Sequence, residues 1–170
     1  MLEVRLAREV GASEIDVPIR RDLANEARWE ELFAELAAIR EAASGCALKV
    51  IVSTPDLSDA ASIVGAARVA IMAGADFLKT ATGRESGPPT HESGAAICAV
   101  IAEEQTRTGR RVGFKAAGGI RDVAGAIGWA QLVAASLGAD WLVPNLFRIG
   151  SSRLLYDPAV WTSDDGTGRL

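Results

Sequence analysis

Five glycines, Gly11, Gly45, Gly74, Gly109 and Gly138, punctuate the chain at spacings of 34, 29, 35 and 29 residues. Each follows a stretch of helical periodicity and precedes a short apolar run. Glycine readily takes the left-handed backbone conformation that ends a helix, so each marks a helix stop feeding a strand. Two junctions nearly copy each other: Gly74-Ala75-Asp76-Phe77-Leu78 and Gly138-Ala139-Asp140-Trp141-Leu142. The pattern predicts a βα array with strands over 14–19, 47–54, 76–82, 111–116 and 140–149. These runs barely alternate, as parallel strands covered by helices do. Between them Trp29, Leu32, Phe33, Leu36 and Ile39 recur at helical spacing, and Ile63, Ala67, Val69, Ala70 and Ile71 do so more loosely.

A period near thirty residues suits either a β/α barrel or a doubly wound sheet. No GxGxxG follows the first strand, which removes the simplest dinucleotide-binding form of the second. The polar clusters favour the barrel: Asp16 and residues 79–83, 115–119 and 148–153 lie where a strand runs into its loop, the end that carries active sites in barrels. A complete eight-stranded barrel needs roughly 200 residues. The expectation for this 170-residue chain is therefore an α/β fold of the TIM (β/α)8 type, incomplete, with about five units in one domain over 1–170 and a flexible tail over 157–170.

Of eighteen basic residues only Lys49, Lys79 and Lys115 are lysines, and each interrupts an apolar strand-like run. Arginine cannot lose its proton in a protein, whereas a desolvated lysine can and then attacks carbonyl carbon. Amine chemistry is one reading of the three; a head group snorkelling from a strand end is the alternative for any one of them. The rest of the composition excludes more than it assigns. A net charge of −4 leaves no electrostatic footprint for nucleic acid, and no apolar stretch is long enough to span a membrane. The charged first ten residues do not read as a targeting signal, so a cytoplasmic location is expected. Cys46 and Cys98 lack metal-ligand spacing and read as small buried hydrophobes. His91 is the single histidine, which excludes a multi-histidine zinc site, and its loop setting reads as solvated. Residues 85–92, rich in glycine and proline, read as a flexible loop. Glycine-containing loops at Gly83-Arg84, Gly118-Gly119-Ile120-Arg121 and Gly150-Ser151-Ser152-Arg153 would let main-chain N–H groups approach an anion.

Three segments, Phe77-Leu78-Lys79-Thr80-Ala81-Thr82-Gly83, Gly113-Phe114-Lys115-Ala116-Ala117-Gly118-Gly119-Ile120-Arg121 and Phe147-Arg148-Ile149-Gly150-Ser151-Ser152, closely resemble the signature segments of the deoxyribose-phosphate aldolase family. Glu14-Ile15-Asp16-Val17 and Leu48-Lys49-Val50-Ile51 match upstream, and the resemblance runs to about Tyr156. It implies that the five strands are the fourth to eighth of a barrel whose first three βα units are absent here. It also implies cleavage of 2-deoxy-D-ribose 5-phosphate to acetaldehyde and D-glyceraldehyde 3-phosphate, in deoxynucleoside catabolism, without metal or other cofactor.

By position Lys79 would form the imine, Lys115 would be its charged neighbour, and Asp16 would shuttle protons. Repulsion from a second ammonium would favour the free amine at Lys79. The substrate and its phosphate would be held by Thr82, Gly83, Arg84, Gly118, Gly119, Ile120, Arg121, Gly150, Ser152 and Arg153. The partner implied is a small phosphosugar, and homo-oligomerisation is left open. The chain departs from the family pattern in Arg84 for a lysine, Ala116 for a proline and Ala81 for a serine. Lys49 aligns with a lysine inside the barrel, as a buried ion pair or an electrostatic participant. Another lysine-dependent aldolase acting on a different phosphosugar, and a noncatalytic phosphosugar-binding fragment, remain as alternatives.

Overall fold

The computed structural model describes residues 2–156; the expected tail over 157–170 lies outside the described residues. Helix α1 (Leu2–Glu9) leads into strand β1 (Glu14–Pro18). Helices α2 (Arg21–Asn25) and α3 (Trp29–Ala42) precede β2 (Ala47–Ile51). Then α4 (Ala60–Met72), β3 (Phe77–Lys79), α5 (His91–Thr108), β4 (Gly113–Ala117), α6 (Val123–Leu137) and β5 (Phe147–Gly150) alternate. All five punctuating glycines have positive φ.

The strands form one parallel sheet in strict chain order, β1-β2-β3-β4-β5. A doubly wound sheet reverses its strand order at a switch point, and this sheet has none. The order is that of a barrel arc. Side chains alternate between faces along each strand, and the register sorts them cleanly. One face presents Ile15, Val17, Leu48, Val50, Leu78, Phe114 and Ala116, all buried in the core under the helices. The other carries Glu14, Asp16, Lys49, Phe77, Lys79, Lys115 and Arg148. The charged residues that interrupt the apolar runs therefore all fall on the inner face.

The arc curls strongly. Arg148 on β5 donates from both terminal nitrogens to Glu14 on β1, at 3.1 and 3.2 Å, although these are the two edge strands of the sheet. Phe77 fills the inner face near them, with the Arg148 guanidinium and the Lys49 ammonium each 5.7 Å from its ring centre. Gly113 makes room for that ring: a Cβ there would lie 2.3 Å from Phe77 Cε1.

Two sequence expectations are corrected. The strand expected from Asp140 begins only at Phe147, and Ala139–Trp141 form a 3-10 turn. Trp141 is fully buried and its indole N–H donates to the Val112 carbonyl, while Pro144 lacks the N–H that a ladder needs. Phe33, expected on the core face of α3, is 39 % exposed, whereas Leu32, Leu36 and Ile39 are buried. The other strands differ at their ends by one to three residues, and ladder-like bonds such as Thr54 N–H to Thr80 O run beyond them.

Candidate active site

The inner face delivers the site because a parallel register brings residues from neighbouring strands to one level. Lys79 on β3 and Lys115 on β4 are register partners, as are Asp16 on β1 and Lys49 on β2. Lys79 and Lys115 both donate to Oδ2 of Asp16, at 2.9 and 2.5 Å. Lys49 lies 3.3 Å from Asp16 Oδ1 and donates to Glu14 at 2.6 Å. A continuous polar chain thus runs from Arg148 through Glu14, Lys49 and Asp16 to the two other lysines.

Exposure separates the three lysines. Lys49 is only 2 % exposed, against 12 % for Lys79 and 19 % for Lys115. Lys49 is sealed in the ion pair, and the other two reach open space. Burial pushes the Asp16 carboxyl up, but hydrogen bonds and charge from Lys115 and Lys79 outweigh it and hold the group down to about 2. Hydrogen bonds from Lys49 and then Arg148 likewise lower Glu14. The sequence expectation of two ammonium groups repelling each other lacked this element: a carboxylate stands between them and offsets their repulsion.

Lys79 and Lys115 line a cleft of about 550 Å³ at the C-terminal ends of β3, β4 and β5. Its walls include all ten residues expected for substrate and phosphate: Thr82, Gly83 and Arg84 after β3, Gly118, Gly119, Ile120 and Arg121 after β4, and Gly150, Ser152 and Arg153 after β5. Asp16 lies behind the lysines, outside the lining. Arg84, Arg121 and Arg153 form no ion pair among the described residues, so the cleft carries uncompensated positive charge. Gly118 and Gly119 both have positive φ and make no hydrogen bond among the described residues. Residues 85–92, expected to be loose, lie against this turn: a Cβ on Gly119 would meet Pro88 at 2.7 Å, and one on Gly118 would meet Pro89 at 2.9 Å.

Three residues that shape the cleft were not singled out from sequence. Thr80 is fully buried and its hydroxyl both donates to Ala117 O and accepts from Ala117 N–H, locking β3 to β4 just below the glycine turn. This lock holds the end of β4 next to Ala116. Ser151 donates to Ile120 O at 2.6 Å and accepts from the N–H groups of Arg153 and Leu154, which ties the β5 loop to the β4 loop. Glu85 accepts from the N–H groups of Thr82, Gly83 and Arg84 and from the Ser53 hydroxyl. Hydroxyl signals such as Thr80 and Ser151 sit inside recognisable segments, but their partners are main-chain groups that a sequence does not show.

Elsewhere, His91 is exposed at the start of α5, edge-on to Trp129 at 4.7 Å. Cys46 and Cys98 are buried and unpaired, and burial pushes the Cys98 thiol up to about 12. Among the described residues no group of three or more His, Cys, Asp or Glu side chains converges to hold a metal ion. No helix among them is long and apolar enough to cross a membrane.

Comparison with known proteins finds relatives over most of the chain. Residues 1–144 match the family described as DeoC/LacD family aldolase. The deoxyribose-phosphate aldolases of Mus musculus and Homo sapiens are 44 % and 43 % identical to the chain over 155 residues, covering 91 % of it and 49 % of each relative. The tetrameric deoxyribose phosphate aldolase of Aeropyrum pernix superposes with a TM-score of 0.64 at 27 % identity, covering 95 % of this chain and 60 % of that one. The chain belongs to the DeoC/LacD aldolase family, and it spans about half the length of these curated relatives.

Proposed function

We propose that this member of the DeoC/LacD aldolase family carries the lysine-imine site of a deoxyribose-phosphate aldolase, acting on 2-deoxy-D-ribose 5-phosphate in deoxynucleoside breakdown in the cytoplasm. The observation that carries the reading is the contact of Lys79 and Lys115, which line a cationic cleft, with one oxygen of Asp16 behind them. In this reading the free amine of Lys79 adds to the C1 aldehyde carbon, and loss of water gives a protonated imine. The C3 hydroxyl then loses its proton as the C2–C3 bond breaks, and the bonding electrons move into the imine, forming an enamine. D-Glyceraldehyde 3-phosphate leaves. A proton delivered to C2 and hydrolysis of the imine release acetaldehyde and restore the amine. Splitting the reaction this way avoids an unstabilised carbanion, and every step uses protein groups and water, with no metal or cofactor.

Asp16 acts as a conduit in this scheme. Its oxygen touches both amines, so a proton can pass among Lys79, Asp16 and Lys115 without entering bulk solvent. Hydrogen bonds and charge from the two amines keep this carboxyl ionised, so it is an acceptor for both of them at once. The 5-phosphate is held at the far end of the cleft, by the unbonded N–H groups of Gly118 and Gly119, by Ser152 and by the guanidinium groups of Arg84, Arg121 and Arg153.

The enamine half-reaction tests the reading without a phosphate. Incubated with acetaldehyde in deuterium oxide, the chain is expected to incorporate deuterium at the methyl carbon, followed by proton NMR. Exchange no faster than in buffer would contradict the proposal.

A further inference from the structure

The loop after β3 contains a feature that the reaction leaves unused. The N–H groups of Thr82, Gly83 and Arg84 all point at one anion, but that anion is the carboxylate of the next residue. Glu85 Oε1 accepts from Thr82 N–H at 2.7 Å, and Oε2 accepts from Gly83 and Arg84 N–H at 2.8 and 3.0 Å. The Ser53 hydroxyl donates to Oε1 at 3.0 Å from the loop after β2. Ser53 is buried and sits at φ 55°, a left-handed conformation that a serine adopts only when its surroundings hold it there. Gly83, at φ 92°, supplies the bend that closes the nest. Burial pushes the Glu85 carboxyl up, and hydrogen bonds from Thr82, from its own N–H and from Gly83 outweigh it and hold it below the ordinary glutamate range.

Two consequences follow. The main-chain donors of this loop are taken, so of the three glycine loops only those after β4 and β5 have N–H groups without a partner among the described residues. The loop after β3 contributes through the Arg84 side chain, which lines the cleft. We infer that Glu85 is a positioning residue: by filling the 82–84 nest and engaging Ser53, its carboxylate fixes the loop that presents Arg84 to the phosphate end of the cleft, and so sets the preference for phosphorylated over unphosphorylated sugar without touching either. The inference rests on the phosphosugar reading above.

The test separates this role from two others. Inorganic phosphate binding is measured by titration calorimetry for the unaltered chain, Glu85→Gln and Glu85→Ala, with circular dichroism confirming the fold. Removing a negative charge near a cationic cleft by itself tightens anion binding, so electrostatics alone points the other way. Positioning by Glu85 instead weakens phosphate binding roughly tenfold, the scale of a lost charge-assisted hydrogen bond. Glutamine does not substitute, because its amide nitrogen would face N–H groups. The same variants raise KM for 2-deoxyribose 5-phosphate by a similar factor while kcat and the turnover of 2-deoxyribose stay unchanged. On an Arg84→Ala background, Glu85→Gln adds no further loss.

Unchanged affinity in both variants would overturn the inference. Tighter binding would also overturn it, and would mean that Glu85 occupies an anion site as a competitor. An additive loss in the double variant would overturn the route through Arg84. Absence of any phosphate binding by the unaltered chain would remove the phosphate end of the proposed function, and this inference with it. Failure of imine formation alone, with the phosphate losses as described, would leave the positioning role standing.

Discussion

Lys79 and Lys115 face each other in register across β3 and β4, and their ammonium groups converge on one oxygen of Asp16. Asp16 comes from β1, two strands away from β3 in the sheet, so the contact depends on the curl of the arc. The site is a property of that curvature as much as of the residues themselves.

Asp16→Asn removes the carboxylate shared by three lysines and the proton path between two of them. Cleavage is expected to fall by about 10²–10⁴, the range associated with a positioned acid–base group. The substitution also has a pH signature. Asp16 is lowered from 3.8 to about 2 on folding, so its contribution to stability is complete above pH 4 and is lost as pH falls toward 2. Denaturant melts across that window should show a steep loss in the unaltered chain and a shallower one in Asp16→Asn. Equal slopes would contradict the ion-pair geometry.

Thr80→Val keeps the shape of the side chain and deletes its hydroxyl, leaving the Ala117 N–H and C=O without that partner. A cost of about 1–3 kcal/mol is expected for unsatisfied buried groups, read from urea denaturation. Thr80→Ser retains the hydroxyl and should recover most of it. A valine variant as stable as the original would show that the lock contributes nothing.

Gly150 makes room for the Ala117 side chain, two residues beyond Lys115 on β4. A Cβ there would lie 2.8 Å from Ala117 Cβ and 3.4 Å from Lys115 Cε. Gly150→Ala should therefore push against Ala117 at the end of β4, displace the strand that carries Lys115 and lower kcat by roughly tenfold or more with the fold intact. Adding Ala117→Gly opens the same space and should restore activity. A double variant as slow as the single one would argue against a steric cause.

Ser152→Asp places a negative charge in the cleft beside Gly150 and Arg153. Binding of 2-deoxyribose 5-phosphate is expected to weaken by about a hundredfold, from like-charge repulsion and a lost donor. The turnover of unphosphorylated 2-deoxyribose should change far less. Equal losses for both sugars would remove the phosphate from this end of the cleft.

Much of this molecule could be read before folding it. The glycine punctuation located the helix stops, and the three lone lysines marked the inner face of the sheet. The second Gly-Ala-Asp-aromatic junction misled, because it copies the first in sequence but not in surroundings. Phe77 continues into a strand, whereas Trp141 turns to satisfy an indole N–H on Val112, and Pro144 ends any ladder nearby. Glu85 was invisible for a different reason. Its partners are three main-chain N–H groups and a serine 32 residues upstream, and none of these relationships has a side-chain pattern. The carboxylate between the two catalytic candidates was legible as a residue, but its shared oxygen was not, since it depends on how far β1 curls toward β4.

The most direct test of the central claim is reductive trapping. The chain is incubated with 2-deoxyribose 5-phosphate and borohydride, and the modified residue is mapped by peptide mass spectrometry. A reduced adduct on Lys79, absent in a folded Lys79→Arg variant, is the expected result. An adduct on Lys49 or Lys115 instead, or none on a folded chain, would contradict the assignment of Lys79 as the imine-forming amine.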